Sequence, residues 1–159
     1  MAEVLGEAAF PKLFKEETVV LGLEAVEKKD VLERLVDALV SGGSIDASQR
    51  DTVLDALVAR EGLGSTGIGA GIAIPHVKLD GIAGTVTAIG VSKKPIDYRA
   101  VDGEPCDLFF LLVSATDQAD NHLRILRWLS KLVRNPDFVR FMRGSRDRAE
   151  AVSLLAEMG

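Results

Sequence analysis

Apolar side chains recur at helical spacing twice before residue 60. Leu32, Leu35, Val36 and Leu39 make the first stripe. It overlaps Asp30-Val31-Leu32-Glu33, which has the form of a capping box, an acceptor side chain with Glu three residues on. Ser41-Gly42-Gly43 stops that helix. Asp46, with Gln49 three residues later, opens a second helix. Its stripe is Val53, Leu54, Leu57 and Val58, and Arg60 lies near its end. The period then vanishes. Gly62, Gly64, Gly67, Gly69 and Gly71 crowd one stretch that Pro75 closes. That pattern predicts a loop running into a short strand at residues 72–74, directly before His76.

Residues 85–91 read as a strand. Residues 108–113 form a near-continuous apolar run, the signature of a strand buried on both faces. Lys94-Pro95 and Asp102-Gly103 mark turns between the two. Asp120 or Asn121 is placed to cap a long helix reaching residue 134, which Asn135-Pro136 ends. A short helix near residues 138–142 and a last one over 147–158 follow. Interleaved helices and strands predict an α/β layered fold, with helices covering a central sheet.

On a wheel at about 100° per residue, His122 shares a side with Ile125, Leu126, Leu129 and Val133 of the long helix, in its first turn. Arg124, Arg127, Lys131 and Arg134 gather opposite, as on a solvated helix face. His122 therefore has two readings. It is either a core or rim histidine bonded to a backbone group, or an inward group lining a pocket between helix and sheet.

Composition narrows the class. A chain of 159 residues, 47% hydrophobic and 27% charged, has room for one domain with a real core and does not read as disordered. No apolar run approaches the roughly 20 residues of a membrane helix. Met1-Ala2-Glu3-Val4-Leu5 lacks the basic flank and apolar stretch of a signal peptide. The single cysteine, Cys106, excludes an internal disulfide and fits a reducing cytoplasm. It opens a strand and reads as a packed side chain. The net charge of −5 argues against a general nucleic-acid binder, although residues 122–159 carry eight basic and four acidic side chains.

The chemistry concentrates around residue 76. Glycines at 67, 69 and 71 allow close backbone approach to a ligand or serve only as tight-turn scaffolding. The loop is no Walker A motif, because no Gly-Lys-Ser/Thr follows. It is no dinucleotide fingerprint either, because Ile72 stands where a small residue is needed. His76, just past a strand end, has an ordinary pKa of about 6.5 and is largely neutral and nucleophilic at physiological pH. Phosphoryl transfer asks a nucleophile for in-line placement and for donors to the equatorial oxygens. Arg60, the hydroxyls of Ser65 and Thr66, the loop amides and His122 are the candidates. Two histidines and one cysteine without a short-spaced cluster leave a metal site unsupported, and no serine-nucleophile elbow is present.

The stretch Arg60-Glu61-Gly62-Leu63-Gly64-Ser65-Thr66-Gly67-Ile68-Gly69-Ala70-Gly71-Ile72-Ala73-Ile74-Pro75-His76 closely resembles the active-site motif of the fructose/mannitol-type (type 2) enzyme IIA domains of the bacterial phosphotransferase system. That group includes the nitrogen-regulatory IIA proteins. The resemblance continues in Lys94-Pro95-Ile96, Asp102-Gly103-Glu104-Pro105-Cys106-Asp107-Leu108 and Asn121-His122-Leu123, and spans residue 11 to the end. It implies one type-2 IIA domain over residues 1–159, with a mixed sheet flanked by helices. The phosphorylated histidine falls on His76, its supporting histidine on His122 and the arginine on Arg60. Ser65, Thr66, Gly67, Gly69 and Gly71 become the expected phosphate-binding loop. The family also implies attack by Nε2 of His76 with its other nitrogen held by a backbone carbonyl, and no metal or other cofactor.

The donor implied is HPr or its nitrogen-type paralogue. The receiver is either a cysteine on a IIB domain, which Cys106 is not, or a regulatory target protein that binds according to phosphorylation state. A nitrogen-regulatory carrier is the leading expectation and a sugar-pathway IIA for fructose- or mannitol-like uptake the alternative. Either is expected in the cytoplasm, meeting membranes only through permease partners and nucleic acid not at all. Arg124 departs from the regulatory type, which often has a second histidine there. A small anion- or nucleotide-binding protein built on the glycine loop is a third reading, with no complete fingerprint to support it.

Overall fold

The computed structural model describes residues 3–159; Met1 and Ala2, the start of the stretch read for a leader, lie outside them. In chain order the elements are β1 (Val19–Leu23), α1 (Lys28–Ser41), α2 (Arg50–Gly62), β2 (Gly67–Gly69), β3 (Ile72–Ala73), β4 (His76–Lys78), β5 (Thr85–Ile96), β6 (Cys106–Ser114), α3 (Ala119–Leu132), α4 (Pro136–Arg143) and α5 (Arg148–Met158). Short 3-10 turns precede β1 and lead into α2 and α3.

The strands form one mixed sheet in the order β1-β5-β6-β3-β2. β1 runs parallel to β5, β5 antiparallel to β6, and β3 parallel to β6. β4 also pairs with β6, farther along the edge that β3 occupies. The side chains of β6 alternate between two cores. Leu108, Phe110 and Leu112 join Ile125, Leu129, Phe138 and Leu155 on one face. Phe109, Leu111 and Val113 join Leu32, Leu35, Leu39 and Leu57 on the other. Each such fully buried apolar side chain contributes about 2 kcal/mol, so the continuous apolar run of β6 is what two covered faces require. Gly90 has a local reason. A Cβ there would stand 2.8 Å from Leu23 and 3.0 Å from Leu35, so its absence lets α1 lie close on β5.

Several boundaries differ from the sequence expectation. Asp30 does not start α1. Glu27 is the N-cap and Asp30 is its reciprocal partner, three residues in. The box is therefore real but shifted, because an acidic side chain at N3 serves it as well as one at the cap. Asp46 and Gln49 form the second box as expected, around a 3-10 turn that leads into α2. Val58 is 39% exposed and leaves the apolar stripe. Lys94-Pro95 makes no turn; it lies inside β5, where the pairing register shifts between Val91 and Ile96 and tolerates a missing N–H. Neither Asp120 nor Asn121 caps α3, which follows directly on a 3-10 turn. It ends at Leu132, and Asn135 instead caps α4 by accepting from the amides of Asp137 and Phe138. No helix among the described residues is long and apolar enough to cross a membrane.

Candidate functional site

The glycine-rich stretch is a hairpin and not a loop. β2 and β3 pair antiparallel across Ala70 and Gly71, whose φ values of 57° and 81° need the left-handed region. β3 lasts two residues. Ile74 then leaves the ladder and Pro75 has no N–H, but the carbonyl of Pro75 still takes the amide of Leu112 at 3.0 Å. His76 therefore opens β4 instead of following a strand end, and pairs in register with Leu112.

Strand alternation sets what faces it. Lys78 pairs with Ser114, and Ser114 with Thr85. These side chains thus share the face of the sheet on which His76 and Leu112 stand. That face is covered by α3, whose first turn carries His122, 5% exposed. The two imidazole centroids are 5.7 Å apart, with the rings inclined at 54°.

Each ring has one nitrogen engaged. Nδ1 of His76 lies 2.7 Å from the carbonyl of Ile74. A carbonyl only accepts, so Nδ1 carries the proton and Nε2 keeps the lone pair. Nδ1 of His122 lies 2.6 Å from the hydroxyl of Ser114, itself 3.0 Å from the hydroxyl of Thr85. Neither Nε2 has a hydrogen-bond partner among the described residues. Both rings are shifted toward the neutral form. Burial lowers the pKa of His76 first, the Ile74 carbonyl and Glu61 act the other way, and the positive charges of Arg60 and Lys78 add to the lowering. Burial, then His76 and Lys78, lower that of His122 to about 4.

Arg60 stands on the last turn of α2 and donates from Nη1 to the carbonyl of Gly64 at 2.9 Å. Its neighbour Glu61 is buried and fully engaged. The carboxylate accepts from Lys28 Nζ at 3.0 Å, from the amide of Thr66 at 3.2 Å, from the Tyr98 hydroxyl at 2.9 Å and from the Thr66 hydroxyl.

Two of the expected site residues thus come together, His76 and His122; the Arg60 side chain is bonded to the Gly64 carbonyl, and its charge acts on His76. In the expected phosphate-binding loop, the Thr66 carbonyl takes the amide of Ile74 at 3.1 Å, next to His76, while the two hydroxyls are engaged elsewhere. The Thr66 hydroxyl is turned onto Glu61. The Ser65 hydroxyl takes the amide of Gly67 within the turn, at 3.1 Å. Gly71 hands its carbonyl to Leu108, four residues along β6 from the partner of His76. At roughly 3.3 Å per residue that is about 13 Å away. Gly69 lies against the Asp102 carboxylate, and Gly71 against the Arg143–Asp107 ion pair. Gly69 and Gly71 take part in the turn of the β2–β3 hairpin.

Sequence reasoning missed Lys78, Ser114 and Thr85; the backbone carbonyl that the resemblance implied for His76 is that of Ile74. Only Lys78 had a local signal, the two-residue period of a strand beginning at His76. Asn121 and Arg124 were misread as a cap and a solvated cation. Asn121 accepts from the amide of Leu5 at 3.0 Å and donates to the carbonyl of Glu3 at 2.7 Å. Arg124 donates to the carbonyl of Leu5 and lies over the ring of Phe10. Together they fasten the N-terminal segment to the turn that bears His122. Cys106 is fully buried and burial, followed by Asp102 and Asp107, raises its pKa to about 11, so it stays a packed thiol.

A neutral imidazole with an open Nε2, a second buried imidazole beside it and a nearby guanidinium make a site suited to holding and passing a phosphoryl group. The family model for the phosphoenolpyruvate-dependent sugar phosphotransferase system, EIIA 2, matches residues 12–158, and the chain belongs to that family. Its relatives are of two kinds. It is 38% identical over 123 residues to the fructose-specific EIIABC component of Bacillus subtilis, covering 77% of this chain and 19% of that protein's length. It is 32% identical over 140 residues to the nitrogen regulatory protein of Bradyrhizobium diazoefficiens, covering 88% of this chain and 90% of the relative. The crystal structure of nitrogen regulatory protein IIA-Ntr from Neisseria meningitidis superposes with a TM-score of 0.83 at 28% identity, over 91% of this chain and 97% of that one.

Proposed function

We propose that this chain is a phosphohistidine carrier that accepts a phosphoryl group on Nε2 of His76 from HPr or its nitrogen-type paralogue. One observation carries the reading. The Ile74 carbonyl holds the proton of His76 on Nδ1, which leaves the Nε2 lone pair open beside His122. In the transfer, that lone pair forms the new P–N bond as the donor's P–N bond breaks. The donor ring keeps the released electron pair, and His76 keeps its Nδ1 proton. The positive charge that develops on the ring is stabilised by the carbonyl. His122 and Arg60 serve as donors to the phosphoryl oxygens.

The test is labelling of the native chain and of His76→Ala by phosphorylated HPr. Equal labelling of both sinks the reading.

The nitrogen-regulatory type is the preferred destination. In it, the added charge of about −1.5 to −2 decides which target protein binds. Extensive similarity to the Bradyrhizobium and Neisseria proteins supports this reading. Similarity to the fructose-specific Bacillus protein favours the second destination, a cysteine on a IIB domain. Transfer from the labelled chain to a fructose-type IIB separates the two. Both place the protein in the cytoplasm, where such donors and receivers meet.

A further inference from the structure

Ser114 is fully buried, and its hydroxyl touches two groups of the described structure: His122 Nδ1 at 2.6 Å and Thr85 Oγ1 at 3.0 Å. The chain of contacts can carry its protons in either of two directions. In one, His122 Nδ1–H donates to Ser114, and Ser114 to Thr85. In the other, Thr85 donates to Ser114, and Ser114 to a bare Nδ1.

The direction fixes the second nitrogen of His122. The ring is neutral at physiological pH and holds one proton. The first direction leaves Nε2 of His122 as a lone pair, next to a histidine whose own Nε2 is already a lone pair. Two adjoining rings would then each present an acceptor, and both would repel phosphoryl oxygens. The second direction gives Nε2 the proton and turns His122 into a donor toward the site without charging it.

We infer that Ser114, backed by Thr85, is the positioning group of this site: it donates to Nδ1 of His122 and so holds that ring as the Nε2–H donor for the phosphoryl group. The inference rests on the phosphocarrier reading for the choice of direction and for its rate consequence, while the tautomer can be read without any phosphate. No proton moves in the transfer step. His122 donates a hydrogen bond before and after it, and Ser114 only decides which of its nitrogens does so. The strands make this possible. Register pairs Thr85 with Ser114 across β5 and β6, and alternation turns both toward α3.

Imidazole nitrogens are distinguished by two-bond proton–nitrogen NMR correlation on the uniformly labelled full chain near pH 7. The native spectrum is expected to show His122 protonated on Nε2, with Nδ1 of the acceptor type. Ser114→Ala is expected to lose that preference and to slow labelling by phosphorylated HPr about tenfold, the effect of one neutral hydrogen bond. Thr85→Val, at the part-exposed end of the chain, should weaken the preference without opening the core, and Thr85→Ser should restore what valine loses. Thr85→Val therefore also provides the test if Ser114→Ala fails to fold. A native ring protonated on Nδ1 overturns the inference. So does a Ser114→Ala or Thr85→Val protein that keeps both tautomer and rate, or one that changes tautomer with no change in rate. A native chain that takes no phosphate while His122 shows the Nε2–H form and loses it in Ser114→Ala refutes the phosphocarrier reading and leaves the tautomer assignment standing.

Discussion

Two polar clusters on the sheet handle burial in opposite ways. Around Glu61, one carboxylate is matched by Lys28, Tyr98, the Thr66 hydroxyl and the Thr66 amide, so that each acceptor site has a donor. Around His76 and His122, two rings are each secured at Nδ1 and left open at Nε2. The first cluster is closed and can only hold the α2 end to the following turn. The second keeps one bonding position unfilled on each of two facing groups. Buried polarity alone therefore does not distinguish the proposed site; the unfilled position does.

Substitutions can break that contrast. The largest effect is expected at His76→Ala, where labelling by phosphorylated HPr should fall by roughly 10³-fold or more while circular dichroism and melting stay near native. His122→Ala removes a donor and leaves the nucleophile, so the same assay should slow about 10²-fold with the fold retained. An unchanged rate would return His122 to a core role. Glu61→Ala should behave in the opposite sense. Breaking a buried ion pair costs about 3–5 kcal/mol in chemical denaturation, yet the folded fraction should label within a few-fold of native. Loss of labelling out of proportion to loss of folded protein would erase the distinction between the clusters. Arg60→Lys, which keeps the charge and loses the planar fork, should slow transfer about tenfold.

Acid sharpens the contrast further. The pKa of His122 is about 4 folded, against about 6.5 for the free side chain. Between those values the unfolded chain binds the extra proton and the folded chain does not, so stability falls as pH drops from about 6.5 toward 4. The contribution is at most about 3 kcal/mol. Denaturation at stepped pH should show a shallower acid slope in His122→Gln than in the native chain.

What the sequence made legible was whatever repeats at a short period. The stripes of α1 and α3 and the doubly buried β6 are each written within a dozen residues, and so was the inward aim of His122. Local chemistry offered Arg60 and His76 as candidates, and the resemblance gave each its role. The hairpin was hidden because glycine spacing does not say whether backbone pairs with itself or with a ligand. Ser114 and Thr85 were hidden for a different reason. Their contact with each other and with His122 exists only once β5 and β6 set their register and α3 lies across them. Asn121 and Arg124 were misread on the same ground, since their partners come from the start of the chain.

The bond from His76 to Ile74 joins residues two apart along the chain, whereas the bond from His122 to Ser114 joins a helix to the end of a central strand. The two rings therefore have different thermal histories. Any fluctuation that lifts α3 disconnects His122 from its partner and leaves His76 oriented, because the carbonyl that holds it travels with it. Loss of activity on warming should come in two stages, support before acceptance, with the acceptor nitrogen surviving until the sheet itself comes apart.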